Sequence, residues 1–214
     1  CRLAMSRKHL AFNPFNEYKN TKKDKDRGYL LRNELEQLVT FNCDKKKDEL
    51  VKDLFVFSCF TGLSYSDMKG LKNSNIQDFF DGNQWVIVRR KKTATSSNVM
   101  LLDIPKMIIE KYAGFSKDNK VFPVPSNTVC NDSLKRISQQ IDCLKEKKVT
   151  FHLARHTFAT LFLSEGVPLE SLSKMLGHKN IATTQIYAKI LNEKVGKDMQ
   201  KVSHKFKGME ESFV

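Results

Sequence analysis

The sequence lacks any apolar run close to the roughly 20 residues that a membrane-spanning helix needs. Its first residues, CRLAMSRKHLAF, also lack the apolar core of a secretory signal peptide. Position 1 is not methionine, and we interpret the chain as a fragment of a longer protein. These absences predict a cytoplasmic protein without a membrane partner.

Paired cysteines are missing as well. The 5 cysteines are odd in number, scattered along the chain and without a CxxC pair. This pattern speaks against a disulfide framework and a cysteine zinc site, and it favours reduced thiols. His152 and His156 stand four apart, but no glutamate lies between them, which argues against a helical zinc pair. We therefore expect no metal and no cofactor, and we expect His156 to be a packed neighbour of any site.

Acidic residues are too few to balance the basic ones. Lys+Arg number 37 against 24 Asp+Glu, which gives a net charge of +13. The ordinary partner of so basic a chain is a polyanion, and nucleic acid is a better candidate than an anionic membrane surface. With 40% hydrophobic residues, the 214-residue chain can bury a sizeable core. A globular protein is predicted.

Hydrophobic spacing predicts a mainly α chain with a small antiparallel β-sheet. Helices are predicted around Leu35 and Leu38, over DELVKDLFVFSCFTGL up to Gly62, in SYSDMKGL, from Pro105 through Tyr112, and from about Thr128 to Cys143. The segments QWVIVRRKK and VMLLDI predict two strands around a polar turn near residues 93–98.

The residues with the most distinctive chemistry lie near the C-terminus. FHLARHTFATLF has helical spacing, which places His152 and Arg155 on one face. An arginine fork fits two phosphate oxygens, and a histidine donates a hydrogen bond or moves a proton near neutral pH. Gly177 ends the next helix, His178 follows in the turn, and Tyr187 lies in TTQIYAKI. Because a tyrosine has a pKa of about 10, it attacks only with help from a base or a cationic pocket.

This ordered set, HxxRH, LGH and a tyrosine, resembles the catalytic domain of the tyrosine recombinases, the phage-type integrase family. TGLSYSDMKGL is similar to the TGLRxxEL box of that family, and WVIVRRKKTATSSNVMLLDIP is similar to its β-hairpin with a KT lysine. The resemblance extends over nearly the whole chain. The TGLSYSD box is most similar to integrases of bacterial conjugative transposons. The resemblance also implies the integrase catalytic-domain fold.

The resemblance implies a site-specific recombinase that cuts and rejoins DNA through a 3′-phosphotyrosyl intermediate, for integration or excision of a mobile element. It implies Tyr187 as the nucleophile, Lys92 as the general acid, and His152, Arg155 and His178 around the scissile phosphate. The implied partners are double-stranded recombination sites, other copies of the chain in a tetramer, and an accessory DNA-bending protein. Such an enzyme needs no metal and would act in the bacterial cytoplasm, at the nucleoid.

The first arginine of the family is missing from the TGL box, where this chain has Ser64. In other enzymes, loss of one oriented donor to a developing oxyanion costs on the order of 10² to 10³ in rate. Residues two apart on a strand share a face, so Arg90 is expected to point the same way as Lys92. We hypothesise that Arg90 neutralises the phosphate and that Ser64 contributes at most a hydrogen bond.

Three segments are expected along the chain. Residues 1–28 are interpreted as a basic linker from a missing N-terminal core-binding domain, residues 29–190 as the catalytic domain, and residues 191–214 as a tail that packs on another copy or folds back. Within the hairpin, Arg89, Lys91 and Thr93 are assigned to DNA binding.

A second interpretation comes from another class of protein. LESLSKMLGHKNIATTQIYAKI also fits a non-catalytic helix-turn-helix DNA-binding module. In that case Thr183, Thr184 and Gln185 would read bases, and Tyr187 would touch a phosphate. This interpretation leaves HLARHTFAT and the KT hairpin without a role.

Overall fold

The computed structural model describes residues 1–17, 28–91, 93–116, 118–188, 196, 199–200, 202–203 and 208. The helices in this part of the chain are α1 (Arg2–Ser6), α2 (Arg32–Thr40), α3 (Lys46–Thr61), α4 (Tyr65–Lys69), α5 (Asp103–Lys111), α6 (Asn127–Ser138), α7 (Phe151–Ser164), α8 (Leu169–Met175) and α9 (Ala182–Ala188). The strands are β1 (Ile76–Asp78), β2 (Gln84–Arg89) and β3 (Ser96–Met100). They form one antiparallel sheet in the order β1-β2-β3. The predicted mainly helical fold with a small antiparallel sheet is confirmed.

Helix α3 forms the centre of the main core. It carries Phe55 and Phe57, both fully buried, and helices α2, α5, α6 and α7 pack around it. A helix that is apolar on most sides is typical of such a buried position. Its C-cap is Gly62, whose φ of 66° is left-handed, and a Cβ there would lie 2.6 Å from Cδ1 of Phe158. Glycine therefore lets the end of α3 approach α7 closely.

A second, smaller apolar cluster joins α7, α8, α9 and β3. It includes Val99, Phe158, Leu172 and Tyr187. Helix α8 packs on β3, and α9 packs on both α7 and α8. The hairpin and the two last helices are therefore fixed against the helix that carries Arg155.

The predicted second strand needs correction. It was expected in VMLLDI, but β3 begins at Ser96, where it pairs with Arg89 of β2. The main-chain nitrogen of Arg90 donates to the oxygen of Thr95 at 2.9 Å and closes the connection. Serine and threonine residues favoured a longer turn in the sequence, whereas cross-strand pairing extends the strand through them.

The helix predicted from Thr128 to Cys143 is too long. Helix α6 ends at Ser138, and the chain continues into a short 3-10 helix at Asp142–Leu144. Ile141 and Leu144 still reach the core through this turn, so their apolar spacing continued the helical pattern.

Smaller differences concern the shortest elements. Helix α5 begins at Asp103, and Pro105 lies in its first turn, where a proline is tolerated. Elements α1 and β1 were not predicted, because 5 and 3 residues are too few to show a period.

Most of the predicted tail 191–214 lies outside the described residues. Within the described part, no helix is both long and apolar enough to cross a membrane.

Candidate active site

Arg155 extends from α7 into the interior, where it is 5% exposed. Its Nη1 donates to the main-chain oxygen of Gly62 at 2.6 Å, and its Nη2 donates to that of Leu176 at 2.5 Å. Nη2 also donates to Nε2 of His178 at 3.0 Å. Burial and the neighbouring Arg90 lower the pKa of Arg155 to about 10, so it remains a cation at neutral pH. Three acceptors thus fix the direction of a buried guanidinium.

Arg90 follows β2 directly and continues its alternation on the buried side, like Val88. It is 8% exposed. Its Nε donates to Oδ2 of Asp67 at 3.2 Å, and its Nη1 donates to the main-chain oxygen of Leu176 at 2.7 Å. The guanidinium of Arg90 therefore meets that of Arg155 at one carbonyl group.

Ser64 binds Asp67, the partner of Arg90. It is the N-cap of α4, where its Oγ accepts from the main-chain nitrogen of Asp67 at 3.4 Å. The same Oγ donates to Oδ2 of Asp67 at 2.6 Å. The other carboxylate oxygen, Oδ1, accepts from the main-chain nitrogen of Lys91 at 3.2 Å. Ser64 thus reaches Arg90 through the carboxylate of Asp67.

Side-chain hydroxyls fasten the β2–β3 hairpin to the C-terminal end of α8. Ser97 donates to the main-chain oxygen of Met175, and Thr95 donates to that of Gly177 at 2.5 Å. Thr93 Oγ1 lies 3.2 Å from the same Gly177 oxygen. The last carbonyl groups of a helix have no partner within the helix, and these hydroxyls supply one. The hairpin and the turn after α8 are thereby held in one arrangement.

His178 connects α7 with α9. Besides the bond from Arg155, its Nδ1 lies 2.8 Å from Oγ1 of Thr184. Burial, together with Arg155 and Arg90, lowers the pKa of His178 to about 4. The imidazole is therefore neutral near pH 7 and carries one N–H.

Tyr187 lies on α9 and is 4% exposed. The edge of its ring meets the ring of His156, with the centroids 5.4 Å apart. The ring of His156 in turn meets that of His152, with the centroids 4.7 Å apart, and His152 is exposed. The ring of His156 thus lies between Tyr187, the predicted nucleophile, and His152, which was predicted to lie at the scissile phosphate. From the sequence, His156 had been assigned only to packing.

The predicted DNA-binding residues of the hairpin differ in their surroundings. Arg89 is exposed, and its Nε donates to the main-chain oxygen of Ala94 at 3.1 Å. Lys91 is exposed, and its side chain lies alongside Gly70. Lys92 lies outside the described residues, so its role as the general acid stays a prediction.

The charges at the Leu176 carbonyl do not balance. In the described part of the chain, Asp67 is the one carboxylate that pairs with either Arg90 or Arg155. Two buried guanidinium groups against one carboxylate leave an excess positive charge. A buried charge without a counter-charge is unfavourable, so a singly charged anion such as a phosphodiester would offset the excess charge of this cluster.

Sequence reasoning missed one part of this cluster, the main-chain oxygen of Leu176. The Leu176 carbonyl left no signal in the sequence, because any residue supplies a main-chain oxygen.

Among the described residues, no group of three or more histidine, cysteine, aspartate or glutamate side chains could hold a metal ion.

Comparison with known proteins assigns the chain to a protein family. Residues 28–194 match the Phage integrase family. The chain is 31% identical over 156 residues to tyrosine recombinase XerA of Saccharolobus solfataricus, covering 72% of this chain and 50% of the relative. It is 30% identical over 166 residues to XerA of Thermococcus onnurineus, covering 73% of this chain and 56% of the relative. The chain thus spans little more than half the length of these relatives.

Solved structures show a similar fold. The crystal structure of XerA recombinase matches with a TM-score of 0.65 at 20% identity, covering 93% of this chain and 72% of that chain. The Tn1549 transposon integrase in complex with a circular intermediate DNA matches with a TM-score of 0.68 at 18% identity, covering 94% of this chain and 75% of that chain. The catalytic-domain fold expected from the sequence is confirmed.

Proposed function

Because the chain belongs to the phage integrase family, we propose that it is a site-specific tyrosine recombinase, which cuts and rejoins DNA through a covalent bond to Tyr187. One observation carries the proposal. Arg90 and Arg155, which are distant in sequence, both donate to the main-chain oxygen of Leu176, and Arg155 also donates to His178. The helix of Tyr187 is bonded to the same imidazole through Thr184.

The guanidinium groups bind the scissile phosphate. Each presents a planar fork of donors that fits non-bridging phosphate oxygens. Negative charge grows on these oxygens as a nucleophile attacks, and donors that are already oriented stabilise it without reorganisation. In this scheme Arg90 takes the place of the arginine that Ser64 replaces. Asp67 holds Arg90 in position.

The phenolic oxygen of Tyr187 forms a bond to phosphorus, and the bond from phosphorus to the 5′-oxygen breaks. We assign His152 to accept the phenolic proton and Lys92 to supply a proton to the leaving 5′-oxygen. The product is a 3′-phosphotyrosyl ester, so one phosphodiester replaces another. A 5′-hydroxyl from a second strand then attacks this ester and releases Tyr187. These two reaction steps need no external energy source, because each exchanges one phosphodiester bond for another.

The substrate class we propose is the recombination site of a mobile element, for integration or excision. The TGLSYSD box, which resembles that of conjugative-transposon integrases, supports this choice. A solved transposon integrase bound to DNA has a similar fold. The net charge of +13 suits a DNA partner. We further propose that several copies act together, as a tetramer on paired sites with an accessory DNA-bending protein, at the bacterial nucleoid.

The structure does not favour the helix-turn-helix alternative. In that alternative Thr184 reads bases, but its side chain is fully buried and lies 2.8 Å from Nδ1 of His178. Tyr187 is likewise buried rather than displayed toward a groove. A side chain that reads base edges has to reach them from the surface.

A covalent trapping experiment tests the proposal. The chain is incubated with a library of nicked duplexes of random sequence, and the products are separated by denaturing electrophoresis. A nick a few nucleotides from the cleavage point makes the fragment with the free 5′-hydroxyl short. This fragment diffuses away and cannot attack the ester, so the covalent intermediate accumulates. We expect an adduct that disappears in Tyr187→Phe and persists in the control Tyr29→Phe. Absence of any adduct when DNA binding is saturated, or an adduct in Tyr187→Phe, contradicts the proposal.

A further inference from the structure

Thr184 connects the imidazole of His178 with the helix of the proposed nucleophile. Its Oγ1 lies 2.8 Å from Nδ1 of His178, and its side chain is fully buried. Tyr187 follows one helical turn later on the same face of α9, whereas Gln185 and Ile186 are exposed. Helix α9 therefore turns Thr184 and Tyr187 together toward the interior.

The partners of His178 define its tautomer. A guanidinium only donates hydrogen bonds, so Nη2 of Arg155 donates to Nε2 of the imidazole at 3.0 Å. The ring is neutral near pH 7, because burial together with Arg155 and Arg90 lowers the pKa of His178 to about 4. Its single hydrogen is therefore on Nδ1, which donates to Oγ1 of Thr184.

A bound phosphate reverses this requirement. Phosphate oxygens only accept hydrogen bonds, so His178 can bind one only if Nε2 carries the hydrogen. In a neutral ring, Nδ1 then becomes an acceptor. A hydroxyl both accepts and donates, and rotation of the Thr184 O–H supplies the donor that Nδ1 then needs. The Nδ1 proton passes to water and Nε2 takes a proton from water, so the ring takes up no net proton.

We propose that Thr184 is a positioning residue for strand cleavage, which holds the imidazole of His178 and lets its two nitrogens exchange donor and acceptor roles. The inference rests on the proposed function for its catalytic consequence. Its structural consequence, a hydrogen bond from Nδ1 of His178 to the Thr184 hydroxyl, stands without that function.

The first test compares three variants of α9. Thr184→Val keeps the shape of the side chain and removes the hydroxyl, and Thr184→Ser keeps the hydroxyl. We expect Thr184→Val to lower the single-turnover rate of adduct formation by about 10- to 100-fold at unchanged DNA affinity, and Thr184→Ser to restore it. The matched control is Thr183→Val, on the exposed neighbour, which should leave the rate unchanged. Equal rates in Thr184→Val and the unsubstituted chain overturn the inference.

The second test separates positioning from packing. If Thr184 acts through His178, then Thr184→Val has no further effect on the adduct rate in a His178→Ala background. A purely structural role in α9 would lower the rate by the same factor in both backgrounds, and that result would overturn the inference. Thr184→Ala serves as a second variant if Thr184→Val fails to fold.

The third test needs no cleavage. In the unsubstituted chain, nitrogen NMR of the His178 ring should show the hydrogen on Nδ1, because Arg155 donates to Nε2. Thr184→Val should change the Nδ1 chemical shift, because the Nδ1–H loses its acceptor. Thr184→Ser should retain the original Nδ1 signal. Identical ring-nitrogen signals in Thr184→Val contradict the inference, whether or not the chain cleaves DNA. A failure of the inference is therefore distinguishable from a failure of the proposed function.

Discussion

Arg90 and Arg155 donate hydrogen bonds to one acceptor, the main-chain oxygen of Leu176, at 2.7 and 2.5 Å. Two like charges so close together repel each other, and Arg90 is one cause of the lowered pKa of Arg155. The folded core holds them in place, with Asp67 as a partial counter-charge. In the proposed function, binding of the scissile phosphate would relieve this repulsion, and the two donors are already oriented before it binds.

Arg90 should matter far more for cleavage than Ser64 does. We expect Arg90→Ala to lower the rate of covalent adduct formation by about 10² to 10³, because it removes a donor to the phosphate. Ser64→Ala should lower the rate only a few-fold, because Ser64 reaches the pocket through Asp67. Single-turnover cleavage of a nicked duplex measures both rates.

A methylphosphonate at the scissile position provides the control for Arg90. This substrate lacks the negative charge that Arg90 is proposed to neutralise, so the defect of Arg90→Ala should shrink on it. A defect of equal size on both substrates would indicate damaged folding instead. Full activity of Arg90→Ala on ordinary DNA would refute the role.

The cap at Ser64 should contribute to stability as well as to positioning. Ser64→Ala is expected to lower the free energy of unfolding by about 1 kcal/mol through loss of the α4 N-cap. Ser126 caps α6 in the same way, by accepting from the main-chain nitrogen of Val129, and Ser126→Ala is the matched control. Urea unfolding should show similar losses in both variants. If Ser64→Ala and Ser126→Ala lowered the cleavage rate by similar factors, the link from Ser64 to Arg90 would be contradicted.

Gly177 leaves space for Arg90. Its φ is 60°, and a Cβ there would lie 2.6 Å from Cδ of Arg90. Gly177→Ala should therefore displace the guanidinium and lower the cleavage rate by about 10- to 100-fold. Gly166→Ala is the control, because Gly166 also has a positive φ, of 95°, but nothing within 4 Å of the added Cβ. Equal cleavage rates in the two variants would show that backbone strain alone is responsible.

The stability of the folded chain should fall as the pH drops from about 6.5 toward 4 through His178. The pKa of its ring is about 4 in the folded chain, against 6.5 for an unperturbed histidine, so the unfolded chain binds more protons in this interval. The full shift corresponds to about 3 kcal/mol, and partial solvent access of the ring reduces the expected loss to about 1 to 2 kcal/mol.

Urea unfolding between these pH values measures this dependence. In His178→Gln the part of the pH dependence that belongs to His178 should disappear, while the part that belongs to carboxylates remains. An unchanged pH dependence in His178→Gln would show that the imidazole does not titrate in this interval.

Much of the fold and part of the site were predictable from local patterns. The spacing of HLARHTFATLF indicated a helix that carries His152 and Arg155, and Gly177 indicated the turn before His178. These features depend on residues close together in the sequence, where helical period and glycine conformation act directly. The strand alternation also indicated that Arg90 differs from Arg89 in direction.

The remaining features depend on contacts between distant residues. The Leu176 carbonyl, which unites two guanidinium groups, is a main-chain atom and leaves no mark on residue type. Ser97 and Thr95 resemble turn residues in the sequence, but their hydroxyls bond carbonyl groups at the end of α8. The polar character of Thr184 suggested a surface role, whereas His178 supplies its partner inside the protein.

The burial of Tyr187 determines how copies of this chain can cooperate. Its ring belongs to the same apolar cluster as Phe158 of α7, so the attacking oxygen and the guanidinium of Arg155 are parts of one molecule. A mixture of Tyr187→Phe copies and Arg155→Ala copies contains no complete catalytic centre and should not recover cleavage by complementation. Under the proposed function each copy would thus be chemically self-sufficient, and its neighbours on DNA would serve to align the strands that are exchanged.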